Sequence, residues 1–122
     1  MADVTYEAGR QVRREVLGAD YVQAAEQRTT DFTRDFQELL TRFAWGGVWI
    51  RPGLDRRTRS LITVAMLVAL GREEELELHV RAALRNGVTT AELREVLIHS
   101  AAYCGLPAAN SAFRVAERAL EP

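Results

Sequence analysis

Lysine is missing altogether: each of the 16 basic residues is an arginine, so no imine through a lysine side chain can form. Cysteine is nearly missing. Cys104 stands alone, which excludes an intrachain disulfide, a thiolate zinc cluster and a Cys-x-x-Cys redox pair. An excess of either charge is lacking as well. The net charge of −1 gives no long-range attraction to nucleic acid or to an anionic membrane surface, so neither is expected as a partner. Long apolar runs are absent: the longest, Leu61 to Leu70, is about half of what a membrane span needs. The opening Met-Ala-Asp-Val-Thr-Tyr-Glu shows no basic-then-apolar signal pattern. A reducing cytoplasm is the expected setting. Phosphate loops, dinucleotide fingerprints and hydrolase elbows do not occur.

Strand patterns are almost absent too, and what remains is helical. At 122 residues the chain is expected to be one domain spanning 1–122, all-α, a bundle of about six short helices. Thr5 is placed to cap a first helix that runs to Leu17, with Val12 and Val16 inward and Gly18 as the stop. A short second segment covers 20–27. Thr30 or Asp31 then caps a helix whose Phe32, Phe36, Leu39, Leu40 and Phe43 fall on one face, ending near Ala44. The stretch from Trp45 to Leu54 reads as the one long irregular connection, with two Gly, a Pro-Gly turn and both tryptophans. Loops with that much aromatic mass either plug a core or line a site or an interface.

Beyond it, Asp55 caps a helix from Arg56 to Leu70 whose apolar second half predicts a central position. The next helix is bracketed by Gly71 and Gly87. Three acids occupy its first turn, Arg85 its last, and Asn86-Gly87 supplies a left-handed stop. Its apolar stripe is Leu76, Val80, Ala83 and Leu84. Thr89 with Glu92 forms a capping box for a helix with Leu93, Val96, Leu97, Ala101 and Cys104 inward. Gly105 ends that helix, and Pro107 opens the last one at its first position.

Chemistry is concentrated in few residues. His79 sits at the margin of the bracketed helix, one turn after Glu75, and His99 borders the next helix beside Tyr103. The pair can share one cleft, or each can be a hydrogen-bonded structural residue. Neither belongs to a His-x-x-x-His or Glu-x-x-His pair, so no metal is expected. Arg51, in the tryptophan loop, is a candidate for carboxylate capture because the guanidinium fork binds a carboxylate at two points. Arg56, Arg57 and Arg59 open the central helix. Cys104, at a helix end on an apolar stripe, reads as packing.

Six strings, together with the opening Val12 to Tyr21, carry a resemblance over nearly the whole chain: Arg-Phe-Ala-Trp-Gly-Gly-Val-Trp (42–49), Arg-Pro-Gly-Leu (51–54), Thr-Arg-Ser-Leu-Ile-Thr-Val-Ala (58–65), Leu-Gly-Arg-Glu-Glu-Glu-Leu (70–76), His-Val-Arg-Ala-Ala-Leu-Arg-Asn-Gly-Val-Thr (79–89) and Tyr-Cys-Gly-Leu-Pro-Ala-Ala-Asn-Ser-Ala (103–112). As a set they resemble the carboxymuconolactone decarboxylase family, within the alkylhydroperoxidase-D-like superfamily. Thiol peroxidases of that superfamily carry a Cys-x-x-Cys ahead of the histidine corresponding to His79. Arg72 and Glu75 hold those positions here, and Ser60 stands where those enzymes have a glutamate. Thiol peroxidase or disulfide reductase chemistry is therefore disfavoured, and a non-catalytic helical assembly or ligand-binding module is the other alternative.

The resemblance implies a cofactor-free decarboxylation of 4-carboxymuconolactone to 3-oxoadipate enol-lactone and CO2, in the protocatechuate branch of aromatic catabolism. It also implies a small lactone dicarboxylate as substrate and a homo-oligomer, trimer or hexamer. On that reading His79 is the proton donor or oxyanion partner, with His99 supporting it and Glu75 tuning it. Arg51, then Arg59, binds the side-chain carboxylate, and Trp45 or Trp49 forms an apolar wall.

Overall fold

The computed structural model describes residues 4–122. Among them lie seven α-helices and one π-helix: α1 (Val4–Leu17), α2 (Ala19–Gln27), α3 (Arg34–Leu40), the π-helix (Thr41–Trp49), α4 (Arg56–Leu70), α5 (Glu73–Arg85), α6 (Thr90–Cys104) and α7 (Leu106–Leu120). No strand occurs among the described residues, so the all-α expectation holds with more elements than expected. The helices form two compact units, one ending at Leu54 and one beginning at Asp55.

In the N-terminal unit, α1 turns Val12 and Val16 toward Trp45 and Trp49 of the π-helix. The two indoles stack at 5.2 Å with 30° between their planes. Close approach of backbones makes this packing possible. A Cβ on Gly46 would lie 2.6 Å from the Thr5 carbonyl oxygen, and one on Gly9 would collide with the Thr41 carbonyl. The glycines are therefore contact surfaces, not breakers. Thr5 lies inside α1 and does not cap it.

Two expectations for this unit are corrected. The irregular connection expected from Trp45 is largely the π-helix, and only its end, past Ile50, is irregular. Where α3 passes into it, the Thr41 hydroxyl donates to the Gln37 carbonyl at 2.7 Å, a back-bond that perturbs regular α-geometry. The helix expected from Thr30 or Asp31 starts instead at Arg34. Thr30 and Thr33 close a turn through Thr30 N–H to Thr33 Oγ1 at 3.0 Å, and Asp31 pairs with Arg34 at 2.6 Å. The aromatic stripe is real but faces out: Phe32 is 96% exposed, and Phe36, Leu39 and Phe43 are exposed with it. α3, seven residues long, buries none of them.

The C-terminal unit follows its local signals closely. Asp55 Oδ1 accepts from the Thr58 N–H at 2.7 Å and caps α4. Gly71 (φ 69°) and Gly87 (φ 94°) end α4 and α5 in left-handed turns. At each, the following N–H reaches back five residues: Arg72 to the Leu67 carbonyl at 3.0 Å, and Val88 to the Ala83 carbonyl at 2.9 Å. Asn86 is not itself left-handed. Its side chain donates to the Ala82 carbonyl at 2.8 Å and to Ser60 Oγ at 3.1 Å. Thr89 and Glu92 complete the capping box, and Glu92 also pairs with Arg57.

The core of this unit gathers Val64 and Val68 from α4, Leu76, Val80 and Ala83 from α5, Leu93 and Leu97 from α6, and Ala112, Val115 and Ala116 from α7. α4 is less central than its composition implies, because Ile62, Met66 and Leu70 are exposed. In α5 it is Ala82, not Leu84, that turns inward. Cys104 is exposed rather than packed. It shares the last turn of α6 with exposed Ala102 and Tyr103, so the apolar stripe runs past the end of its support. Pro107 is the second residue of α7, behind Leu106.

Candidate functional site

α5 puts His79 where its sequence margin predicted. Leu76 and Val80 are buried on the core side, and His79 beside them is half-buried with its Nδ1 sealed from solvent. Burial dominates its chemistry. Loss of hydration disfavours the imidazolium and pulls the pKa down to about 4, against a smaller upward pull from Glu75. Glu75 is exposed, one turn earlier in a first turn that also holds Glu73 and Glu74. Water screens its charge, which is why burial wins. At neutral pH His79 is a neutral imidazole.

Arg59 lies on the second turn of α4, half-buried, its carbonyl accepting from the Thr63 hydroxyl at 2.7 Å. Ser60, next to it, is fully buried and held by Asn86. Patterning alone gave no signal for that pair, since both residue types usually mark turns or surfaces. His99, on α6, is exposed and tilts against the Tyr103 ring at 5.3 Å. α5 and α6 each pack chiefly on α4 and α7. The structure thus makes His79 a shielded group and His99 an exposed one.

In the N-terminal unit Arg51 is exposed just past the π-helix, its N–H donating to the Val48 carbonyl at 3.0 Å. Trp45 and Trp49 are 6% and 9% exposed and belong to that unit's core. Of the two roles open to an aromatic loop, they fill a core. Among the described residues no group of three or more His, Cys, Asp or Glu could hold a metal ion.

Comparison with known proteins gives this geometry a setting. Residues 34–118 match the carboxymuconolactone decarboxylase family. A 4-carboxymuconolactone decarboxylase of Acinetobacter baylyi is 54% identical over 92% of this chain and 84% of its own length. A nitrosuccinic acid decarboxylase of Metarhizium robertsii is 46% identical over 94% of this chain and 80% of its own. A 4-carboxymuconolactone decarboxylase of Pseudomonas putida is 49% identical over 34% of this chain and 85% of its length. The family match runs through both compact units. The chain belongs to the carboxymuconolactone decarboxylase family, with its all-α, alkylhydroperoxidase-D-like fold.

Proposed function

We propose that this chain is a carboxy-lyase that converts 4-carboxymuconolactone to 3-oxoadipate enol-lactone and CO2. The observation that carries the reading is 54% identity, across almost the whole chain, to a 4-carboxymuconolactone decarboxylase. The departing carboxylate of that substrate sits γ to the lactone carbonyl across a C=C bond. As the C–C bond breaks, its electron pair moves through the double bond onto the carbonyl oxygen and gives a dienolate. The substrate is its own electron sink, so the protein has three tasks: hold the second carboxylate, stabilise the dienolate oxygen, and let a proton reach the α carbon.

A neutral His79 fits the second task. An imidazole with a pKa of about 4 is protonated in only about one molecule in a thousand at pH 7, too few for a general acid. Its N–H remains a donor, and a neutral imidazole aimed at a developing oxyanion avoids giving up its proton. One such donor is worth ~3–4 kcal/mol of barrier in other enzymes. The proton that ends on carbon then comes from water. Arg51 and Arg59 are the two arginines assigned to the substrate carboxylate. Trp45 and Trp49 act through Arg51, by fixing the π-helix that leads into it. Glu75 moderates the burial of His79, and His99 has a supporting role at most.

Nitrosuccinate is a second reading, favoured by the 46% identical relative named for it. It too is a compact dicarboxylate, and loss of CO2 beside its nitro group sends the electron pair to the nitro oxygens as a nitronate. The demands on an oxyanion donor and on an arginine are the same. Assays with 4-carboxymuconolactone generated in situ and with nitrosuccinate, both followed by CO2 release, separate the two. Turnover of the lactone is expected to be the faster; no turnover of it would overturn the first reading.

Residues 1–122 are read as one functional domain in the cytoplasm, since the family match crosses the division at Leu54. No described helix is long and apolar enough to cross a membrane. A homo-oligomer, trimer or hexamer, is supported by the exposed row Phe32, Phe36, Leu39 and Phe43.

A further inference from the structure

We propose that the N-terminal unit carries a binding site for a small organic monocarboxylate, built on Arg13 in a cavity of about 230 Å³. Arg13, next to the core residue Val12 on α1, lines a half-open polar pocket together with Gln37 and Thr41. It is only 8% exposed. For its five N–H donors the described residues offer one long contact, Nη1 to Gln37 Oε1 at 3.5 Å, and its Nε is sealed off without an acceptor. Loss of hydration pushes its pKa down, yet a guanidinium stays charged at any ordinary pH. A buried cation without a carboxylate is among the costliest groups to leave uncompensated.

The other charges that line the cavity are engaged. Glu26 takes Arg10 in a two-point pair at 2.6 and 3.0 Å. Arg34 holds Asp31 at 2.6 Å, and Glu38 holds Arg42 at 3.6 Å. One positive charge is left over, that of Arg13, which calls for one negative charge. Glu26 and Glu38 on the same walls disfavour a dianion such as phosphate. A carboxylate matches the planar guanidinium edge, with the Gln37 amide as a second donor and Val22 as apolar wall for a short carbon chain. At ~30 Å³ for each water the cavity corresponds to about seven or eight waters, enough for an acid of about that many heavy atoms.

None of the residues lining this site is His79, Arg59 or Arg51, so it stands whether or not the decarboxylase reading does. The test is thermal unfolding of the full chain with propionate or benzoate, against equal ionic strengths of chloride and phosphate. At about a hundred times its dissociation constant a carboxylate is expected to raise the wild-type Tm by several degrees, with chloride and phosphate inert. Arg13→Met is expected to lose the shift. Gln37→Glu supplies an internal carboxylate, so it is expected to melt higher without ligand and to be insensitive to added carboxylate. Arg59→Ala is expected to keep the shift, which separates this site from the substrate's arginines. The proposal is overturned if wild type shows no shift, if phosphate matches the carboxylates, if Gln37→Glu responds as wild type does, or if Arg59→Ala abolishes the shift. Should Arg13→Met fail to fold, Gln37→Glu alone decides.

Discussion

Two opposing effects set the protonation of His79. Glu75, one turn away, would hold an exposed histidine protonated, but burial outweighs it and the imidazole stays neutral down to about pH 4. If the neutral form is the active one, kcat follows a plateau through neutral pH and falls with an acid limb near pH 4. A limb near 6.5 would remove this role. Glu75→Gln takes away an upward pull and is expected to move the limb further down, which an NMR titration of the His79 ring checks directly. Linkage gives the same group a second readout. The unfolded chain binds this proton near pH 6.5 and the folded chain only near 4, so stability falls as pH drops through that window and is flat above it. The upper bound is about 3 kcal/mol, and urea unfolding at the two ends of the window, compared with His79→Gln, measures it. His79→Ala should cut turnover by ~10²–10³-fold, the cost of a lost oxyanion donor. Arg51→Ala should instead raise KM with kcat little changed, and an unchanged KM would end its assignment to the carboxylate.

Among the elements, the contact of α1 with the π-helix is the most exacting. Gly9 and Gly46 let two backbones touch, and a methyl group at Gly9 meets the Thr41 carbonyl with no flexible side chain to give way. Gly9→Ala should therefore destabilise the protein by ~1–3 kcal/mol, the usual cost of overpacking, although alanine favours a helix. A melting temperature equal to or above wild type would contradict that contact. The same pair of elements marks the limit of what the chain reveals by inspection. α4 to α7 are legible because their ends are set by neighbouring residues: Asp55 on Thr58, Gly71, Gly87, Thr89 with Glu92. The π-helix is not. Thr41, Trp45 and Trp49 recur at a spacing of four, which gives a common face in an α-helix and nearly so in a π-helix, and the Gly-Gly step reads as a break. For the site, the position of His79 was visible in the apolar period, but its low pKa depends on what packs over it. Arg13 left no trace, because an arginine after Val12 in an amphipathic helix is ordinarily a surface residue.

At the scale of the whole molecule, apolar surface remains that no local rule accounts for. Phe32, Phe36, Leu39 and Phe43 lie in a row through α3 and into the π-helix, all exposed, and Ile62, Met66 and Leu70 add a second exposed strip on α4. Single exposed apolar residues are commonplace, but a row of three phenylalanines and a leucine is what subunit interfaces bury. The spacing of these residues gives the row its common face, and the structure turns that face outward. In the homo-oligomer proposed above a second copy would cover this row, and aromatic anchors at the centre of an interface carry much of its energy. Phe36→Glu places a charge in the middle of the row without touching a buried residue of α3, which has none. Its helical circular dichroism should match wild type while sedimentation velocity shows a smaller species, by a loss of at least ~2 kcal/mol per contact. An unchanged sedimentation coefficient would place the interface elsewhere and return the α4 strip to first consideration.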